Sequence, residues 1–486
     1  MDLRKLTIQE AHKLLINKKI SSYELTLEYL ARIKEIDPII NSYITISEEH
    51  ALTIAKKADD RIARNLNVTP LTGIPYSLKD CFSTKKIRTT CGSKILEDYL
   101  PSYNATVVKI LESHGSVLLG KQNMDEFGMG SSCENSAFFN TKNPWYLDRI
   151  PGGSSGGSAA GLSAGLSTFA IGEDTGGSIR MPAGFCNLVG LKPTYGLVSR
   201  YGHIALVSSF DCVGPMTKDV FDCAIVLEQI AGNDPLDGTS LKNEIPSYTK
   251  KLVSPVKGMR LGIPKEYYQL GMDIGVEKSI QEAIDVFREI GMEIVEISLP
   301  NTEAALPVYY LILFAEASAN LARFDGIRFS GNPEKDFDSV MDMIIQTRNE
   351  GFGEEVKRRI MLGAYVLSAG YYDAYYLKAQ KVRTLIQGDF NNAFKECDLL
   401  LAPINPSTAF KIGEKVDDPL QMYLSDIFVV AANPAGVPAL ALPCGFYNDL
   451  PVGMQLIGNH SSEEILLRAG YAYQQETDWH KRQPSI

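Results

Sequence analysis

Apolar positions recur along this chain with two different periods, and the alternation between them outlines its organisation. Near the start, Thr7-x-x-Glu10 and Ser21-x-x-Glu24 have the form of capping boxes. The second precedes Leu25, Tyr29 and Ile33 on one helical face, and the pattern predicts a helix that stops before Pro38. Residues 1–66 are therefore expected to form an N-terminal helical segment. Short apolar runs at 73–78, 116–120, 167–172 and 187–192 then alternate with helix-length or glycine-rich pieces, as in a sheet covered by helices. After a turn at 255–258, residues 259–263, 276–289 and 292–299 read as strand, helix and strand. Residues 303–395 are mainly helical by pattern, and 399–402, 438–443 and 452–457 read as returning strands. With no internal repeat and no low-complexity linker, the expectation is a single α/β domain over 1–486, one large mixed sheet with helices on both faces.

Composition narrows the classes without changing that picture. The apolar fraction of 45% and charged fraction of 22% are ordinary for a globular protein. No run of about eighteen apolar residues stands out as a membrane span. The first residues enter a helical pattern without a signal peptide's apolar segment, so a cytoplasmic location is expected. A net charge of −10 argues against direct binding of nucleic acid. Neither the eight cysteines nor the six histidines show a disulfide framework, C-x-x-C or H-E-x-x-H, so no metal site is expected.

Candidate chemistry concentrates in residues 67–220. Two serines are set in glycine: Ser154 in Pro151-Gly-Gly-Ser-Ser-Gly-Gly-Ser158 and Ser178 in Gly172-Glu-Asp-Thr-Gly-Gly-Ser-Ile-Arg180. Glycine lets backbone N–H groups turn toward a developing oxyanion, and Thr175, Gly176 and Gly177 are the amides nearest the second serine. Upstream, Gly73-Ile-Pro-Tyr-Ser-Leu-Lys-Asp80 ends in Lys79, an amine that burial can turn into a base. Gly152-x-Ser154-x-Gly156 also fits a nucleophile elbow, but residues 143–151 read as a loop rather than the strand that elbow requires. Neither loop has the ending of a P-loop or the G-x-G-x-x-G of a dinucleotide site.

In order, wording and spacing these three segments resemble the amidase signature family, and the chain is identified as a member on them. The resemblance implies Ser178 as nucleophile, Ser154 as a bridging serine after a cis peptide bond, and Lys79 as neutral base, with Thr175, Gly176 and Gly177 as the oxyanion hole. Further segments narrow it: Gly120-Lys-Gln-Asn-Met-Asp-Glu-Phe127, Asn320-Leu-Ala-Arg-Phe-Asp-Gly326, Glu350-Gly-Phe-Gly353, Val356-Lys-Arg-Arg-Ile360 and Gly370-Tyr-Tyr-Asp-Ala-Tyr-Tyr376. These look like the A subunits of tRNA-dependent amidotransferases. Such subunits release ammonia from glutamine, and it travels to a B subunit that activates Glu-tRNA(Gln) with ATP and Mg. A small C subunit completes the heterotrimer. No cofactor is implied in the glutamine-hydrolysing chain itself.

By the same resemblance, Arg359 and Asp426 complement the α-carboxylate and α-ammonium of glutamine, and Tyr309 closes the pocket. Three positions depart from the family pattern: Glu173 where a small residue is commoner, Cys81 where asparagine is common, and Asn187 where glycine is expected. Glu173 is expected to alter the potential near the nucleophile. The rival readings are a stand-alone amidase for another small carboxamide and a scaffold subunit without catalysis.

Overall fold

The computed structural model describes residues 2–269, 271–329 and 336–486. Both N-terminal capping boxes close. Thr7 and Glu10, then Ser21 and Glu24, each exchange side-chain-to-backbone hydrogen bonds at the starts of helices Ile8–Ile16 and Ser22–Ile40. The second helix runs through Pro38 rather than stopping before it. Pro38 lies in the last turn, where it forgoes an N–H bond, and the Asp37 carboxylate accepts from the Ser42 and Tyr43 N–H groups to organise the exit. Asn41 then ends the helix in the left-handed region.

Eleven strands form one mixed sheet: β1 Tyr43–Ile46, β2 Pro75–Lys79, β3 Val117–Gln122, β4 Phe169–Asp174, β5 Val189–Lys192, β6 Cys212–Thr217, β7 Arg260–Pro264, β8 Glu293–Ile297, β9 Leu399–Pro403, β10 Ala439–Tyr447 and β11 Leu450–Gly458. Their spatial order is β1-β3-β2-β4-β6-β5-β10-β11-β9-β7-β8. Every residue of β2, β3, β4, β6, β9 and β11 is buried, so neighbouring helices cover both faces of the central sheet. Each predicted run becomes a strand, with ends that agree within two residues except at β10, which runs on four residues past the predicted end to Tyr447. The edge strand β1 lies inside the segment expected to be helical, and β6, where Gly214 and Pro215 interrupt the apolar pattern, had no counterpart in the sequence reading.

The mainly helical stretch consists of Thr302–Asn320, Val340–Gly351, Glu354–Leu367 and Lys378–Glu396, with residues 330–335 outside the described ones. Among the described residues, 302–323 alone is long and apolar enough to cross a membrane, with mean hydropathy 1.3, but 56% of it is buried inside the protein. All eight cysteines are buried free thiols.

One topological fact positions the chemistry. β2 pairs in parallel with both β3 and β4, with Leu78 opposite Ile171, so their carboxyl ends share one edge. There the chain leaves β2 at Lys79 and β4 at Asp174, the crevice where open α/β sheets bind ligands.

Candidate active site

Lys79 ends β2, and its Nζ lies 2.7 Å from Ser154 Oγ. Ser154 follows a cis Gly153–Ser154 peptide bond at the entrance to helix Gly156–Ser163, which is buried along its whole length. Ser178 sits on the turn between β4 and helix Arg180–Phe185, and the Ser155 N–H donates to the Ser178 carbonyl at 3.2 Å. The three segments expected to hold the triad thus converge. Lys79 and Ser154 are sealed at 0% exposure while Ser178 retains 7%, so only the expected nucleophile reaches solvent.

The Ser178 turn is built on Asp174. Its Oδ1 accepts from the Gly177 N–H at 2.8 Å and its Oδ2 from the Ile179 N–H at 3.1 Å. The Gly177 amide, expected in the oxyanion hole, is therefore spent inside the loop, which leaves Thr175 and Gly176 from that set. Gly177 adopts φ +120°, and a Cβ there would run into Val429. A Cβ on Gly176 would overlap the Tyr309 phenol, so Tyr309 lies directly against the turn. Arg180 is fully buried and aims its guanidinium at Asp174, the Val429 carbonyl, Gln455 and Asn433.

The environment of Lys79 departs from the expected neutral base. Burial is the largest single effect and lowers the affinity of its amine for a proton, but Glu173, Cys81 and Asp125 together outweigh it and the net shift is upward. Glu173 Oε2 stands 2.9 Å from Nζ, and the Glu173 carbonyl is also within reach at 3.3 Å. Glu173 is held in turn by the Thr175 hydroxyl, which also touches Asp211 Oδ1 at 2.8 Å. Asp80 pairs with Lys121 at 3.2 Å and accepts from Thr90, a structural role. The His203 side chain is buried, and burial pushes it down to about 4, so it stays neutral beside this cluster.

The three residues expected around an amino-acid substrate also meet, through a residue the sequence did not single out. Tyr310 donates to Asp426 Oδ2 at 2.7 Å, its ring contacts the Tyr309 ring edge-on at 5.0 Å, and the Arg359 guanidinium lies over it at 5.5 Å. Ser131 adds a second donor to Asp426 Oδ2 at 2.9 Å. Arg359 already pairs with Glu355, Nε to Oε1 at 2.7 Å, and Tyr423 donates to the same oxygen. A cavity of about 140 Å³ opens beside this group and is lined by Arg359, Glu355, Ser132 and Tyr423, but not by Ser178, Tyr309 or Asp426. Glu355 carried a detectable signal, since it lies four residues before Arg359 on the same helix, whereas Tyr310, one residue from Tyr309, carried none. Among the described residues no group of three or more histidine, cysteine or carboxylate side chains could hold a metal.

Known proteins resemble this chain along nearly its whole length. Residues 24–467 match the Amidase family. The glutamyl-tRNA(Gln) amidotransferase A subunit of Caldanaerobacter subterraneus subsp. tengcongensis is 56% identical over 98% of this chain and 97% of its own. That of Thermoanaerobacter pseudethanolicus is 55% identical over 100% and 99%. The crystal structure of the corresponding Thermotoga maritima protein superimposes with a TM-score of 0.82 at 42% identity, covering 98% of this chain and 96% of that one. The peptide amidase of Stenotrophomonas maltophilia gives 0.83 at 30% identity, over 99% and 98%. With the family matched along most of its length and full-length relatives above half identity, the chain belongs to the amidase family, the amidase signature enzymes.

Proposed function

We propose that this chain is the glutamine-hydrolysing A subunit of a glutamyl-tRNA(Gln) amidotransferase. The observation that carries the reading is the 2.7 Å contact from Lys79 Nζ to Ser154 Oγ, beside the turn that presents Ser178. In this reading Ser178 Oγ attacks the side-chain carboxamide carbon of glutamine. Its proton passes to Ser154 as the Ser154 proton passes to deprotonated Lys79. The Thr175 and Gly176 amides face the oxyanion, and Gly177 fixes the turn. Ammonia departs with the proton returned through the same relay, and water resolves the acyl-enzyme.

Substrate recognition follows from charge. Arg359 takes the α-carboxylate by sharing its guanidinium between that group and Glu355. Asp426 takes the α-ammonium, and Tyr309 closes over the side chain. Ammonia then serves a B subunit that holds ATP, Mg and Glu-tRNA(Gln), with a C subunit completing a cytoplasmic heterotrimer. The whole chain acts as one domain. Full-length relatives carrying the amidotransferase name support this over a stand-alone amidase.

The test is ammonia release from glutamine by the purified chain, alone and with B and C subunits, Glu-tRNA(Gln) and ATP. Release that requires Ser178 and rises with the partners is expected. Activity on simple amides but not glutamine, unchanged by partners, would assign the chain to stand-alone amidases.

A further inference from the structure

Glu173 places a carboxylate against the amine that must act as base. The Lys79 ammonium has three N–H donors, and the structure offers it three acceptors: Ser154 Oγ, Glu173 Oε2 and the Glu173 carbonyl. In that state nitrogen has no lone pair left for the Ser154 proton. A fixed Glu173 carboxylate would hold the site inactive.

A proton count at the next residue resolves this. Thr175 Oγ1 is within hydrogen-bond distance of Glu173 Oε1 on one side and Asp211 Oδ1 on the other. One hydroxyl has one proton and can donate to only one of them. The other contact, between two oxygens, requires a proton on a carboxyl group. All three side chains are buried, so water does not replace the missing donor. Burial and the nearby Glu173 push Asp211 up to about 8, in keeping with a carboxyl that retains a proton near neutrality.

We propose that Glu173, Thr175 and Asp211 share one proton, and that its movement from Asp211 to Glu173 is what frees Lys79 to act as base. The Asp211 proton passes to Thr175 Oγ1 as the Thr175 proton passes to Glu173 Oε1. The carboxylate charge thereby leaves the neighbourhood of Lys79 and settles on Asp211, where the Leu206 and Val207 N–H groups hold it at 2.9 to 3.1 Å. The Lys79 ammonium proton then leaves through Ser154 and Ser178, of which Ser178 alone reaches solvent, and the amine turns its lone pair to Ser154. Glu173, Thr175 and Asp211 are positioning residues in this scheme, since they act through Lys79.

The other charged groups around the cluster leave it free to work this way. Cys81 beside Lys79 is kept a neutral thiol by burial. Asp125 also faces Lys79, and burial pushes it up to about 6. Arg200 favours the Asp211 carboxylate, while His203, with Nδ1 3.8 Å from Asp211, is neutral. The Tyr309 phenol feels Glu173 and stays protonated through burial, and Asp174 is neutralised by Arg180.

The proposal rests on Lys79 serving Ser178 through Ser154, and its test separates the two. The profile of kcat/KM against pH is recorded for glutamine hydrolysis by the full chain and its variants. Glu173→Gln removes the charge beside Lys79 and shifts the acid limb to lower pH by about one unit or more, a tenfold gain in relative activity at pH values well down the limb. Asp211→Asn leaves the Glu173 charge nowhere to go and shifts the limb upward by a similar amount. Should Asp211→Asn fail to fold, Thr175→Val cuts the same path and carries the same upward shift; Glu173→Ser stands in for Glu173→Gln. Midpoints that stay in place, or move in the same direction for Glu173 and Asp211 variants, overturn the proposal even where maximal rates fall. Persistent activity in Ser178→Ala would instead remove the reading on which it rests.

Discussion

Arg180 and Asp174 form a fully buried, two-pronged ion pair, with Nε to Oδ2 and Nη2 to Oδ1 both at 3.1 Å. The same carboxylate ties down the Gly177 and Ile179 amides, so the pair fixes the backbone that carries Ser178. Charge at this depth is tolerated only because each member is paired and its remaining hydrogen bonds are made.

Removing one partner should therefore be expensive. Arg180→Met is expected to lower stability by about 3–5 kcal/mol, because it strands the Asp174 carboxylate. Burial, the largest single effect, would raise Asp174, but Arg180, with help from Lys192 and Asn433, outweighs it and holds the carboxyl well below its ordinary 3.8. Such a group contributes stability that is fully present above the unfolded value and is lost as pH falls through the folded one. Denaturant unfolding should show the gap between wild type and variant intact at neutral pH and closing under acid.

Gly176 is a position where a single methyl group should disturb both folding and catalysis. An alanine Cβ would meet the Tyr309 ring, and overpacking of this kind costs about 1–3 kcal/mol. Gly176→Ala is expected to lower kcat/KM for glutamine, and Tyr309→Ala in the same chain should recover part of the stability. Calorimetry and steady-state kinetics on the single and double variants check this.

The substrate pocket makes a prediction about binding rather than rate. Loss of a charge-assisted contact of about 1.5–3 kcal/mol predicts that Arg359→Met raises KM by roughly ten- to a hundredfold, with a smaller effect on kcat. Glu355→Gln should do the opposite to a lesser degree, since it releases the guanidinium from its internal partner. If both changes leave KM for glutamine untouched, the carboxylate binds elsewhere.

Asp426 gives the pocket its own pH dependence. Burial raises it, against donors from Tyr310 and Ser131, to about 6. Only its carboxylate complements an ammonium, so KM for glutamine should climb as pH falls below about 6, approaching tenfold per unit. Asp426→Asn should show a high KM that no longer varies across that range.

Much of this site could be read from the chain because its chemistry is written in local wording. Lys79, Ser154 and Ser178 lie in short segments whose glycines are demanded by backbone shape, and the parallel pairing of β2 and β4 brings their ends together. The groups that escaped are those defined by distance in space. Glu173 was legible as an odd residue, but its contact with Lys79 spans 94 positions and depends on strand register. Asp211 was invisible because it immediately precedes β6, a strand whose Gly214 and Pro215 hide its period. The helix through Pro38 was misread for a similar reason, since Asp37 organises its exit by bonds that no periodicity contains.

The most direct test of the central claim is to catch the covalent intermediate. The chain is mixed with glutamine, quenched in acid during turnover, digested and analysed by mass spectrometry. A γ-glutamyl ester on the peptide bearing Ser178, absent in Ser178→Ala, is the predicted result. Ammonia release with the adduct on another residue, or undiminished by Ser178→Ala, would contradict it.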